Sequence, residues 1–180
     1  FIGRIGLDAA ASNPETIYAL LDNHNDMTDS RALEKAKRFA GRDTRFIVGA
    51  EVYRSDDNGE SWRKVNEDDL SELYYIHYKM GYYWGEIRVS PDNADEIFIM
   101  GAPLFHSTDG GKTYERISHP EMHGDHQAMW IDPENPDHII DGNDGGLNIS
   151  YDRGKTWVDI KMPITQFYTV ALDMDEPFNV

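Results

Sequence analysis

The sequence predicts an all-β fold: a partial β-propeller of about three four-stranded blades plus the start of a fourth, with one short inserted helix. Three observations carry this. An eight-residue box, Ser-x-Asp-x-Gly-x-Ser/Thr-aromatic, occurs three times, as SDDNGESW (55–62), STDGGKTY (107–114) and SYDRGKTW (150–157). Each box is preceded by a strand, a polar turn and a second strand: IGLDAAASNPETIYAL, IRVSPDNADEIFIMG and MWIDPENPDHIIDG. The spacing repeats, 42 residues from Asn93 to Asn135 and 43 from Ser107 to Ser150, and about 40–45 residues is the length of a four-stranded propeller blade.

Each unit reads as strand A, turn, strand B, loop, strand C, box turn, strand D. In the third unit these fall near 126–132, 138–142, 146–151 and 156–160, short runs rich in β-branched and aromatic residues between turn residues. Blade 1 spans about 1–66, blade 2 about 83–118 and blade 3 about 124–161. QFYTVALD opens a fourth unit over about 166–180. Asn13 and Asn93 are 80 residues apart, so the first unit carries nearly a second unit's length of insertion. Part of it, TDSRALEKAKRFAG (28–41), reads as a helix. Thr28 or Asp29 can N-cap it. Ala32, Leu33, Ala36, Phe39 and Ala40 form its apolar stripe. Glu34 and Arg38 are an i,i+4 pair, and Gly41 is a stop.

The box has a mechanical purpose. Its carboxylate can accept backbone N–H bonds and close the C–D turn. Its Gly can take a positive φ, and its aromatic can pack under the turn. Asp57, Asp109 and Asp152 are therefore expected to be structural.

Composition narrows the function. The 180 residues carry 17 Lys and Arg against 33 Asp and Glu, a formal net charge of −16, and no Cys. Disulfides and Cys-ligated zinc are excluded. The acidic field disfavours a nucleic-acid partner. No run of 18 apolar residues is present, so no membrane span is predicted. Three blades and a fraction do not close a ring. The expectation is a segment of a larger propeller, or copies that associate to finish it.

An up-down-up-down blade puts its A–B and C–D turns on one face and its B–C and D–A loops on the other. The polar turns and boxes share a plain face, and the unusual segments share the opposite one. There lie Tyr82, Tyr83 and Trp84, the end of a run that also holds Tyr74, Tyr75 and Tyr78. Such rings can stack on sugars or grip a peptide. There too lie His119, His123, Asp125 and His126, and the tight loop with Asn143 and Asp144. His123, His126, Asn143, Tyr82, Tyr83 and Trp84 are the candidate ligand contacts. Asp125 and Asp144 are the first candidates for acid–base chemistry if a reaction is catalysed. The His/Asp spacing matches no zinc signature, so neither metal nor cofactor is assigned.

The three boxes resemble Asp-boxes, or BNR repeats, of sialidases, xyloglucan-degrading glycoside hydrolases and the ten-bladed propellers of sortilin-type receptors. HGDHQAMWIDPENPDHIIDGNDGGLNISYDRGKTW is especially similar to bacterial secreted propellers with a sortilin-like N-terminal region. The resemblance implies a secreted or cell-surface recognition or scaffold module that binds a glycan or polypeptide on its long-loop face. Its alternatives are a xyloglucanase-like hydrolase using a carboxylate pair, and a sortilin-like peptide receptor. No Phe-Arg-Ile-Pro motif and no arginine triad is evident, which disfavours a sialidase.

Overall fold

The computed structural model describes residues 2–39, 46–66, 73, 76, 81, 83–161, 171 and 173. Twelve strands and one helix appear among them. Strands β1 (Ile2–Ala9), β2 (Ile17–Asp26), β3 (Ile47–Ser55) and β4 (Arg63–Lys64) form the first sheet. The second holds β5 (Glu86–Val89), β6 (Ile97–Met100), β7 (Leu104–Ser107) and β8 (Glu115–Arg116). The third holds β9 (His126–Ile131), β10 (Ile139–Asn143), β11 (Gly146–Ser150) and β12 (Val158–Ile160). Each is an antiparallel meander in chain order, so the expected A-B-C-D blade is realised three times. The reading of 166–180 as a fourth blade lies outside the described residues.

Alternation within each strand sorts side chains to the two faces of its sheet. Ile97 and Ile99 of β6 join Leu20, Val52 and Ile87 in the core between blades 1 and 2. Phe98 and Met100, one residue out of step, join Met129 and Ile139 in the core between blades 2 and 3. Blade 2 is thus buried on both faces, and its β6 reads as the unbroken apolar run IFIM. The inner strands also touch directly: Val89 N donates to the Asp8 carboxylate at 2.8 Å.

The inserted helix α1 spans Ser30–Phe39. Asp29 caps it, its carboxylate accepting from Ala32 N at 2.7 Å. Ala32 and Leu33 pack on Met27 and Phe46, the two residues where the insertion leaves and rejoins the sheet. Glu34 pairs with Lys37 at 2.8 Å. The side chains of Ala36, Arg38 and Phe39, and the whole of Ala40 and Gly41, lie outside the described residues.

The ends of the blades separate as the topology requires. At one end the A–B and C–D turns meet, where Gly110 N donates to Asp95 O at 2.8 Å and Arg153 N to Asp137 O at 3.1 Å. At the other end the D–A segment before β9 crosses the B–C hairpin of blade 2, with Asp125 N donating to Ala102 O at 3.1 Å and His126 N to Gly101 O at 2.9 Å.

Candidate functional site

On the box face the carboxylates are tied into their own turns. Asp109 Oδ1 accepts from the Ser107 hydroxyl at 2.8 Å and from Thr113 N at 3.0 Å, and its Oδ2 accepts from the Thr113 hydroxyl at 2.7 Å. Asp152 and Asp57 make the same three bonds to Ser150 and Thr156, and to Ser55 and Ser61. The Ser61 hydroxyl, with the Ser61 N–H and Ser55, pulls the Asp57 carboxyl down to about 2. The Gly of each box has φ between 82° and 88° and donates its N–H back to the box Ser.

The same face holds a groove of about 640 Å³ between blades 1 and 2, lined by Arg54, Arg63, Lys64, Asp95, Asp109 and Lys112 among others. Most of its charges are matched internally. Arg54 pairs with Asp95 and Asp56, Arg63 with Asp56, and Lys64 with Glu51.

The loop face is built differently. Two positions that the fold makes equivalent show this best. Met129 pairs with Asp141 across β9 and β10, as Ile87 pairs with Ile99 across β5 and β6. Asp141 therefore occupies the place of Ile99, and Asn148 that of Phe105. Blade 2 presents Ile99 and Phe105 toward blade 1 as buried apolar residues. Blade 3 presents a buried polar chain toward blade 2.

His126 Nδ1 lies 2.7 Å from Asp141 Oδ2, and both side chains are 0 % exposed. Asn143 donates to Asp141 Oδ2 at 3.0 Å and to Asn148 Oδ1 at 2.7 Å, while its own Oδ1 accepts from Gly145 N at 2.9 Å. A carboxylate accepting from Nδ1–H fixes the tautomer and leaves Nε2 as an acceptor. His126 Nε2, Asp141 Oδ1 and Gln127 Nε2 are buried without a hydrogen-bond partner among the described residues. Buried polar groups of this kind destabilise a fold relative to apolar ones.

The two candidate acids sit directly above this chain. Asp125 adopts φ 65°, a left-handed conformation unusual for a residue with a side chain. Burial, reinforced by the negative charge of Asp144, pushes its carboxyl above the usual range, against the opposing pull of His123 and His126. His123 packs against the Asn143–Gly146 turn so closely that a Cβ on Gly145 would lie 2.6 Å from His123 Cβ. The structure thus gathers His123, Asp125, His126, Asn143 and Asp144 at the joint of blades 2 and 3. His119 is exposed two residues before Glu121, whose N–H donates to its Nδ1 at 3.2 Å.

The aromatic cluster divides. Tyr83 is exposed and stands edge-on to Trp84, with centroids 5.4 Å apart. Trp84, expected as a contact platform, is instead buried as a core residue. Tyr82, Tyr74, Tyr75 and Tyr78 lie outside the described residues. Among the described residues no group of three or more His, Cys, Asp or Glu side chains is arranged to hold a metal ion, and no helix is long and apolar enough to cross a membrane.

Sequence reading missed four polar residues of this face. Asp141 and Asn148 are the buried members of the chain just described. Asp22 and His24 form a second pair on blade 1 at 2.6 Å. The signal for Asp141 was present, since it falls two residues after Ile139 on the inward face of a B strand, where period-2 alternation calls for an apolar side chain.

A family model described as sortilin, neurotensin receptor 3, matches residues 50–171. Among solved structures, the GH74 enzyme of Niastella koreensis superposes with a TM-score of 0.58 at 17% identity, over 87% of this chain and 22% of that one. YCF48 from Cyanidioschyzon merolae superposes with a TM-score of 0.51 at 18% identity, over 85% of this chain and 38% of that one. At such identities the likeness is one of fold, and this chain spans well under half the length of either neighbour. No curated protein matches it. The family match covers blades 2 and 3 and the β3–β4 half of blade 1, well over half of the residues, and it places this chain in the Sortilin-Vps10 family.

Proposed function

We propose that the chain is an extracellular recognition module, secreted or held at a cell surface, that binds a glycan or a polypeptide on its loop face at the joint of blades 2 and 3. One observation carries this reading. At that joint runs a buried polar chain, His126–Asp141–Asn143–Asn148, two of whose members, Asp141 and Asn148, stand where blade 2 has the apolar Ile99 and Phe105. Polar burial that lowers stability is expected where the side chains serve a ligand. Asp125 in a left-handed conformation beside it adds a second local departure from the fold's own rules. On this reading the Asp-boxes brace the opposite rim. The loop face takes the ligand through His123, Asn143, Asp144 and Tyr83. Further blades of the same propeller, or a second copy, complete the ring.

The experiment is a glycan array and a peptide library probed with the parent chain, His123→Ala, Asp144→Asn and, on the box side, Lys112→Ala. Loss of a bound ligand by at least tenfold in the first two variants, with Lys112→Ala unchanged, is the expected pattern. Loss in Lys112→Ala alone would place recognition on the box face and end this reading.

A second reading, a glycoside hydrolase of the xyloglucanase-like type, is favoured by Asp125, whose carboxyl is raised by burial and by the neighbouring Asp144. A carboxyl raised by burial beside a second acid is the arrangement expected of a general acid and its partner. Reducing-sugar release from a polysaccharide panel tests it, with Asp125→Asn and Asp144→Asn beside the parent. Release that survives in both variants removes these residues from any reaction.

A further inference from the structure

On the box rim, acids that converge share a cation. Arg153 meets Asp92, Glu96 and Asp137, and Arg54 spans Asp56 and Asp95. The loop end of the joint between blades 2 and 3 departs from this pattern. His126 and Asn143 are the outermost paired residues of β9 and β10, which run antiparallel. The next residue outward is therefore Asp125 on one strand and Asp144 on the other. Like charges facing each other across a strand pair destabilise it. Burial, reinforced by Asp144, accordingly raises the Asp125 carboxyl. Further in on β10, Asp141 adds a third carboxylate, fully buried and bonded to His126 and Asn143.

Among the described residues no lysine or arginine pairs with any of these three acids. Beneath the outer two, two of the three buried atoms without a partner are acceptors. They are Asp141 Oδ1 and His126 Nε2, whose ring gives its other N–H to Asp141. The joint thus lacks both positive charge and donors, and an organic cation brings the two together. Among the described residues no three His, Asp or Glu side chains are arranged to hold a metal ion instead.

We infer that the joint takes the guanidinium of an arginine in a polypeptide ligand, seated between Asp125 and Asp144. This rests on the loop-face reading and adds to it the chemical class of the ligand. The box rim shows the match, since there one guanidinium, that of Arg153, answers three carboxylates. A guanidinium presents five donors in a planar fork and can serve two carboxylates at once, whereas an ammonium is a point charge with three. Arginine carries that fork, and an amino sugar carries only the ammonium. Both acids stand on fixed backbone, which lowers the cost of binding. Asp125 N is tied to Ala102 O at 3.1 Å, and the turn bearing Asp144 is closed by the bond from Gly145 N to Asn143 Oδ1 at 2.9 Å. The net charge of −16 draws a cationic ligand toward the chain.

NMR titration of the full chain tests this, with short blocked Gly/Ser peptides that carry one arginine, one lysine or one citrulline. Citrulline keeps the shape of arginine without its charge. The arginine peptide is expected to move the amide signals of residues 123–126 and 143–146. It should bind at least tenfold more tightly than the citrulline peptide, with the lysine peptide between them. Asp125→Asn and Asp144→Asn should each weaken it about tenfold or more, the effect of one lost charge-assisted hydrogen bond. Glu134→Gln removes a charge from an exposed turn of the box rim and should change it by less than about twofold, because screening confines the attraction to nearby charges. The amide spectrum of each variant reports whether it folds. Absence of binding by the arginine peptide overturns the inference, as does equal binding of citrulline or an equal loss in Glu134→Gln. A chitosan oligomer that binds more tightly than the arginine peptide through the same two acids also overturns it, in favour of an amino-sugar glycan. A ligand that is lost in His123→Ala and Asp144→Asn but carries no arginine leaves the loop-face reading standing and overturns this one. Arginine-peptide shifts confined to the box rim overturn both.

Discussion

Removing the Arg153 side chain tests how the box face holds neighbouring blades together. Arg153 sits in the box turn of blade 3 at φ 60°. Its guanidinium meets Asp92 at 2.6 Å, Glu96 at 2.5 Å and Asp137 at 2.7 Å. Asp92 and Glu96 belong to blade 2 and Asp137 to blade 3, so one side chain spans the joint. Asp92 and Asp137 are about half exposed, and an exposed pair contributes roughly 0.2–1 kcal/mol. Glu96 is nearly buried and also bonds His106 at 2.9 Å. Its charge-assisted bond to Arg153 is worth about 1.5–3 kcal/mol. Arg153→Ala should therefore lower stability by roughly 2–4 kcal/mol, most of it through Glu96. The backbone supplies a control. A left-handed residue with a Cβ carries a penalty of about 1–2 kcal/mol that glycine avoids, and Gly110 occupies this place in the box of blade 2. Arg153→Gly should recover about 1 kcal/mol relative to Arg153→Ala. Urea titration followed by tryptophan fluorescence reads both numbers from the shift in midpoint at constant slope. An alanine variant within 0.5 kcal/mol of the parent, or a glycine variant less stable than the alanine one, would refute this account.

Three further outcomes follow from the same geometry. Asp109→Ala removes an acceptor of four hydrogen bonds, two from backbone amides and two from hydroxyls. It should lower stability by about 2 kcal/mol, read by the same titration. Acid should unfold the chain through depressed carboxylates. Asp92 is held low by its Arg153 bond, Asp152 by its Thr156 bonds, and Asp57 near 2. Glu96 is held low by His106 and Arg153 against the burial that would raise it. Each contributes stability above the unfolded value near 4 and loses it as pH falls through the folded value. Melting temperature should thus drop most steeply between about pH 4 and 2, and a flat profile there would contradict it. Finally, His126→Leu leaves the buried Asp141 carboxylate short of its partner and should cost about 3–5 kcal/mol. The double change to His126→Leu and Asp141→Ile, the second copying Ile99, should recover most of that. A double variant as unstable as the single one would show that the joint was never equivalent to its neighbour.

Much of the fold was legible because a propeller repeats its local instructions. The box Ser, Asp, Gly and aromatic recur at fixed offsets, and each offset maps onto a bond made inside one turn. Asn135 and Ser150 alone place β10 and β11 to within a residue or two. The helix was legible for the same local reason, with Asp29 as cap and Ala32 and Leu33 on its packed face. What depends on two blades at once was not. Trp84 and His126 look equally available in sequence, and only the closing of blades over them makes both interior. The pairing of His126 with Asp141 spans 15 residues and a bulge between Gly142 and Asn143. That bulge turns His126 onto the same side as Asp141, which strict alternation along β9 would not allow. The arginine clasps are equally silent, since Arg153 and Asp92 lie 61 residues apart.

The two rims differ in how their charge is balanced, and the proposal of a loop-face site rests on that difference. On the box rim Asp57, Asp92, Asp109 and Asp152 are depressed, each neutralised by hydroxyls, amides or an arginine. Such groups are already saturated, and a ligand would have to displace a protein bond to gain one. On the loop rim Asp125 is raised, beside a like-charged Asp144 and above buried acceptors that meet no donor within the described residues. A raised acid is one whose charge the surrounding protein does not stabilise. The repeat makes the contrast sharper, because the strand positions of Asp141 and Asn148 are filled with Ile99 and Phe105 one blade earlier at no electrostatic penalty. A fold that can fill these strand positions with apolar side chains, and does so in blade 2, carries the polar chain at a cost in stability. A donor-bearing ligand at the joint would offset that cost in the bound state.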